Sequence, residues 1–202
     1  FNMSIIFSLI IILFSAVMHE YMHGWMADRL GDSTARDAGR LTLNPINHID
    51  LWGSILMPAL IFISTQGGLV FGYAKPVPFN PYNLKDQKYG VAKVAIAGPL
   101  ANFFVALFLG LLLRFLPGLD SNLVMFIATI IQINLVLFVF NLLPIPPLDG
   151  SKVIMPFLPY VWQEKLLNME QYGMYIVLIF VLFGFPLIVP IINLLFNLII
   201  GI

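Results

Sequence analysis

The chain has 202 residues, of which 60% are hydrophobic and 10% are charged, with ten basic and ten acidic residues and a formal net charge of zero. Soluble globular domains carry about a quarter charged residues, so this composition excludes that class and indicates an integral membrane protein. The balanced charge gives no indication of a nucleic-acid partner, and the absence of cysteine excludes disulfides and thiolate chemistry.

The first apolar run predicts a transmembrane helix from about Ser4 to Arg29, because a span needs roughly 20 mainly apolar residues. It lacks the basic start and the small-residue cleavage site of a signal peptide, so we interpret it as a retained helix. The sequence AVMHEYMHGW lies within this run. Ionisable residues at membrane depth are costly and usually mark function, so this stretch is a candidate site.

The pattern H-E-x-x-H occupies residues 19–23 of this helix. His19 and His23 are four residues apart, which places both imidazoles on one helix face, where they can bind one ion. In this pattern the two imidazoles hold zinc, and the glutamate stays off the metal and accepts a proton from the activated water. We therefore predict amide hydrolysis with Glu20 as the general acid and base. The alternative is a polar cluster that only joins helices.

The next apolar run, from Leu51 to about Thr65, is short for a span and is interpreted as re-entrant. Residues 67 to 81 contain paired glycines and several prolines, which favour a loop with short strand-like pieces. Such a piece could pair with an unwound, extended substrate segment.

Two further spanning helices are predicted, from about Val91 to Phe115 and from about Asn122 to Leu143. The motif NLLPIPPLDG ends the second of these, because its three prolines cannot continue a regular helix. A short amphipathic stretch around residues 162–167 is followed by two apolar runs, at 172–185 and 187–202, each too short to span comfortably. The predicted fold is an all-α, multi-pass helical bundle with a re-entrant segment and a strand-like loop region, forming a single domain over residues 1–202.

A catalytic zinc needs three protein ligands and a position for water. With three histidines and no cysteine, the third ligand must be His48 or a carboxylate. We predict Asp149, which directly follows a spanning helix and a proline-rich turn. His48, in a polar loop, and Asn141, one turn before the prolines, are candidates for supporting the ligands or stabilising an oxyanion. Two histidines and a carboxylate also describe non-haem iron sites, although HExxH on a helix favours zinc.

These ligands constrain the topology. The histidines lie near the end of the first helix and Asp149 lies just past the helix that ends near Leu143, so both ends must face the same side of the membrane. Four complete crossings would separate them, whereas a re-entrant run at 51–65 brings them together. It also places every basic residue except Arg114 on one face, so the positive-inside rule predicts a site toward the cytoplasm.

Three motifs together carry a family resemblance: HEYMH at 19–23, AGPLAN at 97–102 and NLLPIPPLDG at 141–150. They resemble the site-2 protease family of intramembrane metalloproteases, and LNPINHID at 43–50 and GYAKPVPFNP at 72–81 resemble its compact branch without PDZ or CBS domains. The resemblance implies one zinc ion bound by His19, His23 and Asp149, with Glu20 as acid and base. It also implies substrates that are transmembrane segments of other proteins in the bilayer. Within AGPLAN, Gly98 and Asn102 are expected to serve tight helix packing rather than chemistry.

The rival function from another class is a transmembrane metal-ion transporter, in which histidines and acids form a transit site. A transporter does not need a non-ligating glutamate between its ligands. The position of Glu20 therefore favours the protease.

Overall fold

The computed structural model describes residues 3–57, 60, 63, 72, 74–116 and 118–201, and all regular secondary structure within these ranges is helical. The α-helices are α1 (Met3–Arg29), α2 (Thr34–Asp37), α3 (Gly90–Phe115), α4 (Ser121–Asn141), α5 (Asp149–Ile154), α6 (Tyr160–Met169), α7 (Gly173–Ile179) and α8 (Phe185–Ile200). Short 3₁₀ turns lie at Pro45–His48, Pro81–Asn83, Met155–Phe157 and Glu170–Tyr172, and π-helical turns lie at Leu51–Leu56 and Phe180–Gly184. The described ranges contain no β-strand, which confirms the all-α prediction.

Four helical stretches are long and apolar enough to cross a membrane: Ile6–Arg29, Gly90–Phe115, Ser121–Asn141 and Tyr160–Ile200. The first three agree closely with the predicted helices. The fourth corrects the sequence interpretation, because the amphipathic stretch and the two C-terminal apolar runs form one helical stretch of 41 residues. The π-helical turn before α8 accommodates an extra residue, and Pro186 lies in the first turn of α8, where its missing N–H leaves no hydrogen bond unmade.

The end of α1 lies against the start of α3, since His23 Nδ1 is 2.8 Å from the carbonyl oxygen of Val94. The chain between these helices therefore returns to the side of the membrane that it left, and a single crossing by residues 51–65 is excluded. This agrees with the re-entrant interpretation. The run begins with the π-helical turn, and beyond Met57 only residues 60 and 63 of it are described.

The apolar core is formed by α3, α4 and α8. It is made of the buried residues Ala106, Ile127, Ile131, Leu135, Val139, Ile188, Ile192 and Ile199. Gly110 of α3 lies directly against the side chain of Ile199, so the absence of a side chain there lets α8 approach closely. Small residues at such contacts are what allow helices to pack in lipid, where no hydrophobic difference drives them together.

Asp32 joins the loop after α1 to the loop that leads into α3. Asp32 is fully buried, and its carboxylate accepts hydrogen bonds from the backbone N–H of Asn80 (2.6 Å) and the side-chain amide of Asn83 (2.8 Å). The N–H and hydroxyl of Thr34 donate to it as well. Burial alone would raise the pKa of Asp32, but these donors hold the pKa below its ordinary value of 3.8. The carboxylate therefore fixes the segment just before Asn80.

Replacing Asp32 by Asn is expected to destabilise the protein at neutral pH by about 1–3 kcal/mol, because an amide cannot accept from all of these donors. Because the folded-state pKa is lowered, the stabilisation is complete above the unfolded-state pKa and is lost as the pH falls through the folded value. The difference between parent and variant should therefore shrink below about pH 4. Thermal unfolding in detergent across pH 3–7 measures it. Asp37→Asn, at an exposed carboxylate bonded to Ser33, is the control, and an equal gap at all pH values would contradict the assignment.

Candidate metal centre

Two imidazoles and one carboxylate converge where α1, α3 and α5 meet. The Nε2 atoms of His19 and His23 are 2.9 Å apart, with the rings nearly perpendicular at 86°. Asp149, the first residue of α5, places its Oδ2 atom 3.1 Å from Nε2 of His19 and 3.2 Å from Nε2 of His23. Tetrahedral zinc with bonds of about 2.0–2.1 Å separates its ligand atoms by roughly 3.3 Å. The observed triangle of donor atoms is close to that size.

The other nitrogen of each imidazole has its own hydrogen-bond partner on α3. His23 Nδ1 is 2.8 Å from the carbonyl oxygen of Val94, and His19 Nδ1 is 2.7 Å from the side-chain oxygen of Asn102. An oxygen of either kind can only accept, so each Nδ1 donates and each Nε2 keeps its lone pair. This is the tautomer that a metal-binding histidine needs.

Gly98 is the point of α3 that lies against both imidazoles. A Cβ atom at this position would overlap Nε2 of His23, and it would lie 2.6 Å from Cε1 of His23 and 2.8 Å from Cδ2 of His19. Distances this short do not occur for real side chains. The absence of a side chain at residue 98 is therefore what allows α1 to place both rings beside α3.

Gly150 likewise allows a close approach of the backbone, which positions Asp149. A Cβ atom on Gly150 would overlap the backbone carbonyls of Leu142 and Leu143, just after the end of α4. The first turn of α5 thus packs directly on the chain that leaves α4, and this contact aims Asp149 at the histidines. Ser151 strengthens the turn by donating to the carbonyl of Leu148 at 2.7 Å.

Glu20 lies beside the histidines but has a different partner. One of its carboxylate oxygens and one ring nitrogen each of His19 and His23 lie within 4.8 Å of one another. Its Oε2 atom accepts the backbone N–H of Val77 at 2.9 Å. Asp149 Oδ2 lies within 3.2 Å of both Nε2 atoms, whereas Glu20 Oε2 is held by the loop, so Asp149 rather than Glu20 remains our predicted third donor.

The segment around Val77 is held in place by the loop that follows α1. Lys75 donates its N–H to the carbonyl of His48 at 2.8 Å, and Arg40 donates to the carbonyl of Lys75 at 3.0 Å. Together with Asp32, these contacts present the Val77 N–H to Glu20.

Comparison with known proteins identifies the family. A family model described as peptidase family M50 matches residues 116–184, which include Asp149 but not the histidine pair. The chain is also 40% identical over 186 residues to "Putative zinc metalloprotease YwhC" of Bacillus subtilis, covering 88% of this chain and 80% of that protein. The chain belongs to peptidase family M50. Membership of this family confirms the resemblance of this M50 peptidase to site-2 proteases.

Other relatives of the M50 peptidase are matched over less of their length. "Putative zinc metalloprotease Rip2" of Mycolicibacterium smegmatis is 33% identical over 168 residues, which are 83% of this chain and 63% of that protein. "Putative zinc metalloprotease MJ0611" of Methanocaldococcus jannaschii is 40% identical over 113 residues, which are 53% of this chain and 56% of that protein. No solved structure matches the chain significantly. Family membership and the four candidate spans together make the chain a membrane metalloprotease.

The two supporting residues predicted for the M50 peptidase have partners of their own. His48 is fully buried, with Nε2 2.8 Å from the carbonyl of Thr42, and Nδ1 has no hydrogen-bond partner among the described residues. Asn141 donates to the carbonyl of Leu137 at 2.9 Å, within its own helix. An oxyanion-stabilising or ligand-supporting role for either residue stays a prediction.

Asn102 of the M50 peptidase was expected to serve only helix packing, and the structure adds a contact with His19. The residue is fully buried in the bundle, as packing predicts, and its side-chain oxygen is the partner of an imidazole. The spacing contained a signal: Gly98 and Asn102 are four residues apart and so share the face of α3 that meets the histidines.

Proposed function

We propose that this M50 peptidase is an intramembrane zinc endopeptidase, which hydrolyses peptide bonds within transmembrane segments of other membrane proteins and so acts in regulated intramembrane proteolysis. The observation that carries the proposal is the convergence of His19 Nε2, His23 Nε2 and Asp149 Oδ2 within 3.2 Å inside an apolar helical bundle. These residues would hold one zinc ion per chain. Two imidazoles with ordered outer hydrogen bonds and one carboxylate are the donor set of catalytic zinc.

Zinc in such a site supplies Lewis-acid activation of water and of the scissile carbonyl near neutral pH. The chain supplies the proton transfer. Glu20 is close enough to the histidines to accept a proton from water and pass it to the departing amide nitrogen. The hydrogen bond from Val77 fixes one carboxylate oxygen, so the general base has a set orientation before the substrate arrives.

The proposed orientation places the metal centre toward the cytoplasm. Arg114, the basic residue predicted on the opposite face, lies at the far end of α3, where its guanidinium is 3.4 Å from the carbonyl of Leu198 near the end of α8. The metal centre lies at the other end of α3, near Val94. This separation supports the distribution of charges from which the positive-inside rule gave the orientation.

The proposed substrate contact is the non-helical segment beside Glu20. Residues 74–80 lie outside regular secondary structure, with extended backbone at Asn80, and they reach Glu20 through Val77. Residues 67–71 and 73 of the predicted strand-like region lie outside the described residues. Pairing of an unwound substrate with this region remains our proposal.

Cleavage of a transmembrane reporter by the purified protein in proteoliposomes tests the function. We expect the parent protein to cut the reporter, a zinc chelator to stop the cleavage, and added zinc to restore it. Zinc flux is measured in the same vesicles. Flux without any proteolysis would contradict the proposal and would favour the transporter.

A further inference from the structure

The two imidazoles of the metal centre are oriented by partners of different kinds. His23 Nδ1 faces the backbone carbonyl of Val94, which is always an acceptor. His19 Nδ1 faces the side-chain amide of Asn102, which has an accepting end and a donating end. If that amide turned over, its NH₂ group would face Nδ1 and favour the tautomer with the proton on Nε2. His19 therefore needs something that fixes the direction of Asn102.

The structure provides this in a buried polar chain that crosses three helices. The Asn102 amide nitrogen donates to the backbone carbonyl of Ser15 on α1 at 3.2 Å and to the side-chain oxygen of Asn134 on α4 at 3.0 Å. The Asn134 amide nitrogen donates in turn to the backbone carbonyl of Ile130 at 2.9 Å and to the hydroxyl of Ser15 at 3.0 Å. Asn102 and Asn134 are both at most 1% exposed, so water does not compete for these hydrogen bonds.

Backbone carbonyls determine the direction of the whole chain. Because the carbonyl of Ile130 can only accept, the NH₂ group of Asn134 turns toward it, and the oxygen of Asn134 turns toward Asn102. The NH₂ group of Asn102 then faces Asn134 and the carbonyl of Ser15, so its oxygen faces His19. Reversing either amide would bring NH₂ groups against each other or an amide oxygen against a carbonyl, which is costly in a buried site.

We propose that Asn134 is a positioning residue of the metal centre, which fixes the direction of Asn102 and through it the tautomer of His19 and the affinity for zinc. The proposal rests on the proposed zinc site. Asn134 is outside the family motifs in the sequence and touches none of the three metal-binding side chains in the described hydrogen bonds. Partners of metal-binding histidines typically change metal affinity by about 10–100-fold when they are removed.

Three variants on α4 test the proposal. Asn134→Leu removes both ends of the amide, whereas Asn134→Asp keeps an oxygen that accepts from Asn102. Thr129→Val is the matched control, because the Thr129 hydroxyl makes a similar bond to the carbonyl four residues earlier, at Met125, on an exposed part of the helix. The zinc dissociation constant of each is measured by chelator competition. Nitrogen-15 histidine NMR of the zinc-loaded protein reports the His19 Nδ1–H, in a spectrum with only three histidines.

We expect Asn134→Leu to raise the zinc dissociation constant by about tenfold or more and to speed solvent exchange of the His19 Nδ1–H. Thr129→Val should match the parent, and Asn134→Asp should lie closer to the parent than to Asn134→Leu. If Asn134 had a purely structural role, Asn134→Asp should bind zinc more weakly than Asn134→Leu, because burying a carboxyl group destabilises the fold more than burying a leucine. The proposal would be overturned if Asn134→Leu had the same zinc affinity and the same Nδ1–H exchange rate as the parent. It would also be overturned if Asn134→Asp bound zinc as weakly as Asn134→Leu. If Asn134→Leu does not fold, a zinc affinity of Asn134→Asp well below that of the parent would overturn the proposal by itself.

These readouts do not depend on proteolysis. A parent protein that binds zinc with an ordered His19 but cuts no reporter would refute the proposed function and leave the role of Asn134 intact. A parent that cuts the reporter, with a dissociation constant unchanged by Asn134→Leu, would do the reverse.

Discussion

Replacing Glu20 by Gln is expected to lower peptide-bond cleavage by at least about 10²–10⁴-fold while zinc stays bound, because the change removes general acid–base catalysis. The amide oxygen of glutamine can still accept the N–H of Val77, so the loop should keep its position. The three donor atoms on His19, His23 and Asp149 are untouched. Initial rates on a transmembrane reporter, with metal content measured on the same preparation, report the two properties separately.

The matched control for this variant is Glu164→Gln, which makes the same chemical change on the exposed surface of α6. It should cut the reporter at the parent's rate. If Glu20→Gln kept the parent's rate, Glu20 would not be the general base. If it lost zinc together with activity, Glu20 would be a ligand instead.

Replacing Gly98 by Ala is expected to weaken zinc binding on the order of 100-fold or more and to abolish cleavage, because one added methyl group cannot coexist with the two imidazoles. In an ordinary helix interior this change would be favourable by about 1 kcal/mol. Here the new carbon would lie 2.6 Å from Cε1 of His23 and 2.8 Å from Cδ2 of His19. Either the rings rotate away from Asp149 or α1 separates from α3. Zinc titration of the purified variant measures the loss.

Gly110→Ala is the control for this second variant. It adds the same methyl group to the same helix and also meets a neighbouring side chain, that of Ile199 in α8. We expect it to lower the melting temperature and to leave the zinc dissociation constant at the parent's value. Similar losses of zinc affinity in both variants would mean that general disruption of α3, rather than contact with the histidines, accounts for the result.

The bundle was predictable because its determinants are local. Apolar length alone located α1, α3 and α4, and the prolines after Asn141 predicted the end of α4. The C-terminal stretch differed because a π-helical turn accommodates the break around Gly184 and Pro186. Hydropathy and proline content do not reveal that adjustment.

The candidate metal ligands could be proposed from residue types, but the contacts that support them could not. Spacing predicted that His19 and His23 share a helix face, and the need for a third ligand pointed to Asp149. Gly98, Gly150 and the Val77 N–H contribute through backbone proximity between distant segments, so their residue types carry no chemical signal. Asn102 is similar, because a buried amide in a membrane helix usually joins helices, and only its distance from His19 shows which atom it serves.

The separation of 130 residues between His19 and Asp149 has a consequence for biogenesis. The histidines of α1 are synthesised before Asp149, so the proposed set of three ligands is incomplete until the ribosome has passed residue 149 and the turn after α4 has reached α1. Until then, the nascent chain holds only His19, His23 and Glu20 of the proposed centre. In the proposed mechanism, hydrolytic competence arises only after these distant segments have come together.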